Sequence, residues 1–367
     1  MTILLEKLDL GAWRLHTDSL PLSQVGSFLD ERVLPMASEL DVDSAALFGA
    51  FEVAAELRLL TPKMPEQWNG AGLSGREYQQ LQSMVAARSG ALTFLLSQHQ
   101  SAASFILASE NEALKAAYLP GMAIGEKRIG VGFSHLRRRE SPLRARRVNG
   151  GYLLSGEVPW VTGAGLFEAF VGGAALPNGE SIFGLLPLAD SRSGKGELLV
   201  SRPMDMASMA ATRTVRISLK DWFVADEQVL GLRPAGWLCQ RDITNPLSPI
   251  GMILGCAVGA CYVLAASLRR REISHRLIGV LVEERTDLIA AVEAITGLPK
   301  SGYSEKIALR GRAIAHMNKC AQAAMMASGG AANAMDHPAR RVYGEALVFS
   351  VSGQTNEGAI ASLDAID

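Results

Sequence analysis

The spacing of apolar residues changes twice along this 367-residue chain. Residues 23–60 and 76–118 carry apolar side chains three and four positions apart, which predicts helices. From about Lys127, short runs rich in β-branched and aromatic residues are separated by glycines, as in Gly151–Gly156, which predicts strands. The helical spacing returns after Trp237. Helices and strands are therefore segregated, which argues against a doubly wound α/β sheet.

This order predicts an α+β protein with three parts. We expect an N-terminal α-helical domain over residues 1–122, a middle β-barrel or β-sandwich domain over 123–234 and a C-terminal four-helix-type bundle domain over 235–367. The length suits two or three domains, and a hydrophobic content of 48% is enough for a sizeable core.

Charge and cysteine content narrow the classes of partner. Thirty-six basic residues balance 37 acidic ones, so we expect no nucleic-acid partner. The four cysteines show no metal-ligand spacing, so we expect no metal and no disulfide framework. Neither a GxGxxG nor a GxxxxGK[ST] loop occurs in the sequence. The N-terminal residues lack the pattern of a secretory signal, and we expect a cytoplasmic protein.

One long segment, residues 243–268, contains no charged residue. Its length would allow a membrane helix. However, two prolines place the predicted helix start near Ile250, and the segment consists mainly of small residues. Gly251, Gly255 and Gly259 have the spacing that lets helices pack closely. We therefore expect a buried bundle helix and no membrane span, with a membrane span as the alternative.

Several segments carry turn and strand motifs in a distinctive order. Residues 65–74 contain a Pro-Glu turn followed by glycines, residues 112–125 a Leu-Pro-Gly segment, and residues 159–163 the strand Pro-Trp-Val-Thr-Gly. Further segments are residues 132–134, 149–156 and 215–231, followed by Gly329, Gly330, Pro338 and Thr355. In this order they resemble the acyl-CoA dehydrogenase superfamily of flavoproteins over nearly the whole length. The resemblance implies that family's fold, with helical outer domains around a β domain.

The resemblance also implies a flavin cofactor, FAD, although FMN is left open. It places Trp160 beside the isoalloxazine ring, the Thr162 hydroxyl at N5, and Ser134 near the pyrimidine edge. The alternative is that Trp160 and Thr162 are strand residues that pack a core. The other residues that the resemblance assigns to the cofactor are Phe133, Arg271, Gln354 and Thr355.

The catalytic base of the family has no counterpart at its usual positions. The resemblance places Gly353 where most members carry a glutamate, and Asn245 at the alternative base position. Asp242 and Glu357 are the remaining weak candidates for a base. The alternative for Asp242, in a predicted loop before the apolar helix, is a helix cap or an ion pair.

An arginine-rich segment, residues 137–147, replaces the family's Gly-Ser-Asp substrate segment and contains six arginines. It predicts either a site for an anionic group or a solvated loop. We expect His135, Arg139 and Asn245 to contact substrate. His99, on a predicted helix, is expected to be a packing residue.

Together these observations predict a flavin-dependent oxidoreductase of acyl-CoA dehydrogenase type, acting on a CH–CH bond of an acyl thioester or related small molecule. The alternatives are a flavin-dependent monooxygenase on the same fold and a non-catalytic flavin-binding relative. The expected partners are a small-molecule substrate such as an acyl-CoA and an electron-transfer protein. The glycine-rich helix and the bundle also suggest a homodimer or homotetramer.

Overall fold

The N-terminal part of the chain is helical. A computed structural model describes residues 13–274, 276–297 and 302–366. Ser74 and Glu77 form a capping box that starts the fourth helix, as the turn residues before Ser74 predict. The helices are α1 (Leu22–Ser27, continuing as a π-helical segment Phe28–Val33), α2 (Ala37–Val42), α3 (Ser44–Glu56), α4 (Gly75–Ala86), α5 (Gly90–Leu107) and α6 (Glu112–Ile124).

The middle part is one mixed sheet. Its strands in the described chain are β1 (Ile129–Gly132), β2 (Leu143–Val148), β3 (Gly151–Val161), β4 (Ala169–Ala175), β5 (Ser181–Pro187), β6 (Ser191–Ser193), β7 (Gly196–Val200), β8 (Val215–Ala225) and β9 (Val229–Arg233). They are ordered β6-β7-β8-β3-β2-β4-β5-β9, and β1 pairs in parallel with β4. The predicted strand from Thr212 begins instead at Val215, because residues 210–212 form a 3₁₀ turn and Arg213 has a φ of 49°.

The C-terminal part is again helical. Its helices are α7 (Trp237–Thr244), α8 (Ile250–Arg270), α9 (Leu277–Gly297), α10 (Tyr303–Ser328), α11 (Pro338–Val351) and α12 (Asn356–Asp364). The start of α8 at Ile250 is the predicted one. The α+β order of helices, sheet and helices is confirmed. The predicted domain boundaries lie close to the two segments that connect α6 to β1 and β9 to α7. The division into domains itself stays a prediction.

The main chains of helices α8 and α4 are in direct contact where the two helices pack together. It is long and apolar enough to cross a membrane, but 83% of its most apolar window is buried inside the protein. A Cβ atom added to the three glycines of α8 would lie 2.3, 2.5 and 2.8 Å from the main-chain oxygens of Gln79, Ser83 and Ala87, respectively. The glycines are therefore used for packing within the chain, as expected for a buried bundle helix, and the oligomeric state stays a prediction.

A buried ionic network ties α11 to the N-terminal helices. Glu345 accepts hydrogen bonds from the Gly90 main-chain N (2.8 Å) and from Arg341 Nη1 (2.7 Å). Nearby Asp41 accepts a hydrogen bond from the Met209 main-chain N (2.8 Å). Burial raises the pKa of the Glu345 carboxyl, against the effect of Arg341. The network joins α2, α5, the segment before β8 and α11.

Candidate functional site

The wall at the end of β3 consists of two residues, the exposed indole of Trp160 and the buried hydroxyl of Thr162. The Trp160 side chain is 47% exposed, although Val158 and Val161 on the same strand are fully buried. Thr162 is buried, and its Oγ1 lies 3.1 Å from Thr214 Oγ1. A hydroxyl has one proton and two lone pairs, so Thr162 can accept from Thr214 and still donate to a ligand. The wall therefore suits a flat aromatic ligand that covers the indole.

The two residues after β1 have different environments. Ser134 is exposed and begins the 3₁₀ turn Ser134–Arg137. The Phe133 ring is buried, with its centroid 5.4 Å from that of Phe105 and 5.6 Å from that of Phe183. The hydroxyl of Ser134 is thus open to a ligand, whereas the ring of Phe133 is used in packing.

His135 lies inside the protein. Its Nε2 is 2.9 Å from the main-chain oxygen of Gly173 on β4, to which it can donate. Burial lowers the pKa of His135 to about 4, so the ring is neutral at pH 7. This placement does not favour the predicted contact with substrate. Arg139 and Asn245, the other two predicted substrate residues, are exposed, with Asn245 at the end of α7.

Asp242 is held in a bidentate ion pair. Its Oδ2 accepts from Arg137 Nε at 2.6 Å and its Oδ1 from Arg137 Nη2 at 2.9 Å. The residue lies on α7 rather than in the predicted loop. An ion pair was the alternative expected for Asp242, and its partner is Arg137. Because both carboxylate oxygens are engaged, Asp242 is not a free base in this structure.

The segment that follows α11 is positioned by a buried arginine that the sequence analysis missed. Arg310 on α10 is 4% exposed, and it donates to the main-chain oxygens of Ser352 (2.8 Å) and Gly353 (3.2 Å). Gly353 has a φ of 60°, which favours glycine. The available signal was an arginine among the small and apolar residues of a predicted buried helix.

The last predicted cofactor and base residues follow Gly353. Thr355 Oγ1 accepts from the Gly358 main-chain N at 3.1 Å and so caps α12. Gln354 is half-buried, and Glu357 is exposed in the first turn of α12. Of these side chains, Thr355 is already used to start a helix, although its hydroxyl proton remains available to a ligand.

Arg271 lies at the end of α8. Its Nη1 donates to the main-chain oxygen of Ala327 at 3.0 Å, which joins the ends of α8 and α10. The guanidinium lies beside Gly329, at the start of the predicted glycine-rich loop. Arg271 therefore contacts the start of that loop. Its contact with a flavin stays a prediction.

The arginine-rich segment does not form one patch. Arg137 points to Asp242 on α7, and Arg147 forms an ion pair with Asp226. Residues 138, 139, 144 and 146 are exposed arginines, the last two on β2. Most arginines of the segment are thus solvated, as the alternative of a solvated loop expects, and the site for an anionic group stays a prediction.

Comparison with known proteins agrees with this architecture. Residues 19–126 match the family described as "Acyl-CoA dehydrogenase, N-terminal domain". Glutaryl-CoA dehydrogenase of Mycobacterium smegmatis, solved in complex with FADH2, superposes with a TM-score of 0.77 at 16% identity, covering 94% of this chain and 92% of that one. KijD3, solved with FMN and a dTDP-linked amino sugar, gives a TM-score of 0.76 at 16% identity, covering 97% and 94%. The fold is that of the acyl-CoA dehydrogenases.

Two curated proteins are related in sequence over part of the chain. Benzylmalonyl-CoA dehydrogenase of Aromatoleum aromaticum is 30% identical over 148 residues, 39% of each chain. 3-(Aryl)acrylate reductase of Clostridium sporogenes is 23% identical over 217 residues, 58% of this chain and 57% of the relative. The matches thus span well under two thirds of these relatives. Residues 19–126 match that N-terminal domain family, and the described chain has the fold of the acyl-CoA dehydrogenases, which confirms the resemblance drawn from the motifs.

Proposed function

We propose that the protein is a flavin-dependent oxidoreductase acting on a carbon–carbon bond of an acyl thioester or a related small molecule. The observation that carries this proposal is the exposed Trp160 indole, two residues before the Thr162 hydroxyl, on a strand end where Val158 and Val161 are buried. An exposed indole of this kind is apolar surface that a flat ligand would cover. The fold, which holds a flavin in both solved structures described above, supports a flavin as that ligand.

The residues of this chain fit a flavin at that wall. Trp160 would lie against the ring, and Thr162 and Ser134 would donate hydrogen bonds to its polar edge. Arg271, beside Gly329, would contact the remainder of the cofactor, and we propose FAD, with FMN as the alternative. When bound, the flavin supplies hydride transfer to or from a substrate carbon.

The proton that accompanies the hydride is not handled by a glutamate at the family's usual positions. The resemblance places Gly353 and Asn245 at those positions, and Asp242 is engaged by Arg137. We propose that Asp242 acts as a positioning residue that holds Arg137 at the site. The Asp242→Asn variant then keeps chemistry and weakens substrate binding, whereas complete loss of turnover with unchanged binding would restore Asp242 as the base.

An anaerobic titration tests the proposed function. The purified protein is loaded with FAD and titrated with acyl-CoA thioesters and with free arylalkanoic acids, and the flavin absorption band is followed. Bleaching without oxygen supports the proposal. No bleaching, combined with oxygen incorporation that depends on NADH and a reductase, would indicate the monooxygenase. A protein that takes up no flavin would be a non-catalytic relative.

A matched pair of variants ties that assay to the wall. Trp160→Ala removes the exposed indole of β3, and Phe223→Ala removes an exposed ring of β8, 37% exposed, on the same sheet. We expect the first variant to lose flavin affinity by about tenfold or more, because a stacked aromatic contact contributes about 1 kcal/mol beyond the area it buries. The second should bind flavin as the wild type does.

We also propose a homodimer or homotetramer, supported by an exposed apolar stripe on α11. Tyr343, Leu347 and Val351 follow one another at four-residue spacing and are 46%, 51% and 59% exposed. A second copy of the chain would cover this stripe. Light scattering should give at least two copies, and Leu347→Glu should lower the mass. A monomer at micromolar concentration would contradict the proposal.

The remaining partners follow from the reaction. An oxidation of substrate leaves two electrons on the cofactor, so we propose an electron-transfer protein as the acceptor. The four cysteines, all free thiols, support the proposed cytoplasmic location. Reoxidation of the reduced protein by a purified electron-transferring flavoprotein, and its absence with buffer alone under anaerobic conditions, would test the first of these points.

A further inference from the structure

One arginine lies at the end of the wall formed by Trp160 and Thr162. Arg213 follows the 3₁₀ turn Ala210–Thr212 and precedes β8. Its Nε donates to the main-chain oxygen of Ala164 at 2.8 Å, and its own main-chain oxygen accepts from the Ala164 main-chain N at 3.3 Å. Ala164 is two residues after Thr162, so the two can be at most about 7 Å apart along the chain. These hydrogen bonds therefore place a cation next to the wall.

The residues on either side of Arg213 are bonded to the wall as well. The main-chain oxygen of Thr212 accepts from the Gly163 main-chain N at 2.8 Å, and Thr214 Oγ1 lies 3.1 Å from Thr162 Oγ1. Three consecutive residues of one segment thus run beside three consecutive residues of the other. The position of Arg213 follows from this pairing of two segments and not from a single side-chain contact.

The main chain holds Arg213 in a conformation that arginine rarely adopts. Its φ of 49° is in the left-handed region, and its main-chain N donates to the Ala210 main-chain oxygen at 3.0 Å. Residues other than glycine with such a φ are uncommon, and they occur where the surrounding contacts outweigh the strain, often at functional sites. The guanidinium lies against Gly165, where an added Cβ atom would be 3.5 Å from Arg213 Nε.

Most of the Arg213 guanidinium is open to a ligand. An arginine carries five N–H groups. In the part of the chain that the structure describes, only Nε of Arg213 has an acceptor, and no carboxylate forms an ion pair with this half-buried side chain. By contrast, the exposed Arg216 lies 3.9 Å from Glu157. A half-buried charge without a counter-ion is stabilised when a ligand brings negative charge to it.

A flavin on the wall would bring that charge when it is reduced. The oxidised ring is neutral, and reduction adds electrons to it, so negative charge develops at its polar edge. The Thr162 hydroxyl is proposed above to donate to this edge. The edge would then lie about as far from the turn that Arg213 contacts as Thr162 does, which is at most about 7 Å. Because this separation is shorter than the screening length of about 8 Å in physiological salt, the interaction would persist in solution.

We propose that Arg213 is a further cofactor-contacting residue, whose guanidinium faces the polar edge of the flavin ring and stabilises the negative charge of the reduced form. The inference deepens the proposed function, on which it rests, because it names a residue that makes the bound flavin easier to reduce. Arg213 transfers no proton, since a guanidinium stays protonated in proteins. The neutral oxidised ring gains little from the charge, so Arg213 affects the reduction potential more than the affinity for oxidised flavin.

The reduction potential of the bound flavin tests this inference without any substrate. The FAD-loaded protein is reduced slowly under anaerobic conditions together with a reference dye of known potential, and the absorption bands of flavin and dye are compared. In Arg213→Met, the ratio of reduced to oxidised flavin at a fixed potential should fall about tenfold, a shift of about 30 mV for a two-electron couple. The affinity for oxidised FAD, measured by titration of the apoprotein, should change much less than this ratio.

Matched variants separate the charge of Arg213 from its role in holding the turn. Arg213→Lys keeps the charge without the Nε hydrogen bond and should stay close to the wild-type potential. Arg213→Gln removes the charge, but its amide can still donate to the Ala164 oxygen, so it should shift the potential as Arg213→Met does even if the methionine variant is unstable. Arg216→Met removes an exposed arginine of β8 and should leave the potential unchanged.

Four results would overturn the inference. These are an unchanged potential in both Arg213→Met and Arg213→Gln, a shift in Arg213→Lys as large as in Arg213→Met, a shift of that size in Arg216→Met, and a loss of FAD affinity at unchanged potential. The second would indicate a structural role, the third a general effect of surface charge, and the fourth a contact with the cofactor's phosphates.

The proposed function fails separately. If an acyl-CoA bleaches the flavin while the variants keep the wild-type potential, the oxidoreductase stands without this inference. If the potential shifts as predicted but no substrate bleaches the flavin, the inference stands and the proposed reaction fails. A protein that takes up no flavin overturns both.

Discussion

Substituting Gly255 by alanine tests the packing of α8 on α4. A Cβ atom at this position would lie 2.5 Å from the Ser83 main-chain oxygen and 2.8 Å from Ala86 Cβ, where ordinary contacts are 3.4–4 Å. The oxygen belongs to the backbone of α4, so it cannot move as the end of a flexible side chain can. The two helices must therefore separate, and every apolar contact between them loosens.

The size of the effect follows from two opposing contributions. Overpacking in a filled core costs about 1–3 kcal/mol. Replacing glycine by alanine inside a helix returns about 1 kcal/mol. Gly49 in α3 provides the matched control, because a Cβ there has nothing within 4 Å and the position is exposed. Gly49→Ala should therefore show only the gain, of about 1 kcal/mol.

Urea unfolding, followed by circular dichroism, compares the two variants with the wild type. The difference in free energy of unfolding between Gly49→Ala and Gly255→Ala should be about 1–3 kcal/mol, with Gly255→Ala the less stable. Similar denaturant slopes would show that the unfolded states are comparable. If Gly255→Ala proved as stable as Gly49→Ala, the close contact of α8 and α4 would be refuted.

Three further predictions concern the buried polar groups. Glu345→Gln should cost about 3 kcal/mol in urea unfolding, because it removes the carboxylate that pairs with the buried Arg341 guanidinium; a loss below about 1 kcal/mol would contradict this. Arg310→Met should speed amide hydrogen exchange at residues 352–355 at least tenfold, since Arg310 holds the main chain there; unchanged exchange would contradict the positioning role. Burial lowers the pKa of His99 and of His135 to about 4, below the unfolded value of about 6.5. Between these two pH values the unfolded chain binds more protons than the folded one. The folded state therefore has its full stability above about pH 6.5 and loses it as the pH drops toward 4. At about pH 4.5 each histidine should have lowered the free energy of unfolding by about 2–3 kcal/mol relative to pH 7, which urea unfolding at the two pH values measures. A urea midpoint that is the same at both pH values would refute the neutral, buried state of both rings.

The fold could largely be predicted because it follows from local signals. The two changes in hydrophobic spacing define the helical and β parts, prolines define the start of α8 at Ile250, and a capping box marks α4 at Ser74. His99 is buried, with its ring nitrogens within 3.0–3.2 Å of main-chain atoms of Met122 and Ile129, as expected of a packing residue. The start of β8 was missed because the left-handed conformation of Arg213 has no signature in the side chain.

The site could be predicted only in part because its contacts are distant in sequence. Arg137 and Asp242 are 105 residues apart, so the sequence suggested an ion pair for Asp242 without its partner. His135 follows an exposed serine and precedes arginines, and nothing in that composition shows that its side chain enters the sheet. Arg310 was missed because it acquires its role from a segment that meets it only in the folded protein.

Flavin uptake at Trp160 tests the central claim most directly. Apoprotein is titrated with FAD and with FMN while indole fluorescence and the flavin absorption band are recorded for the wild type and Trp160→Phe. We predict that one flavin binds per chain and quenches the indole fluorescence. The quenching should be smaller in Trp160→Phe, because the indole that faces the flavin ring is absent. A protein that takes up neither flavin, or one whose quenching is the same with and without Trp160, would contradict it.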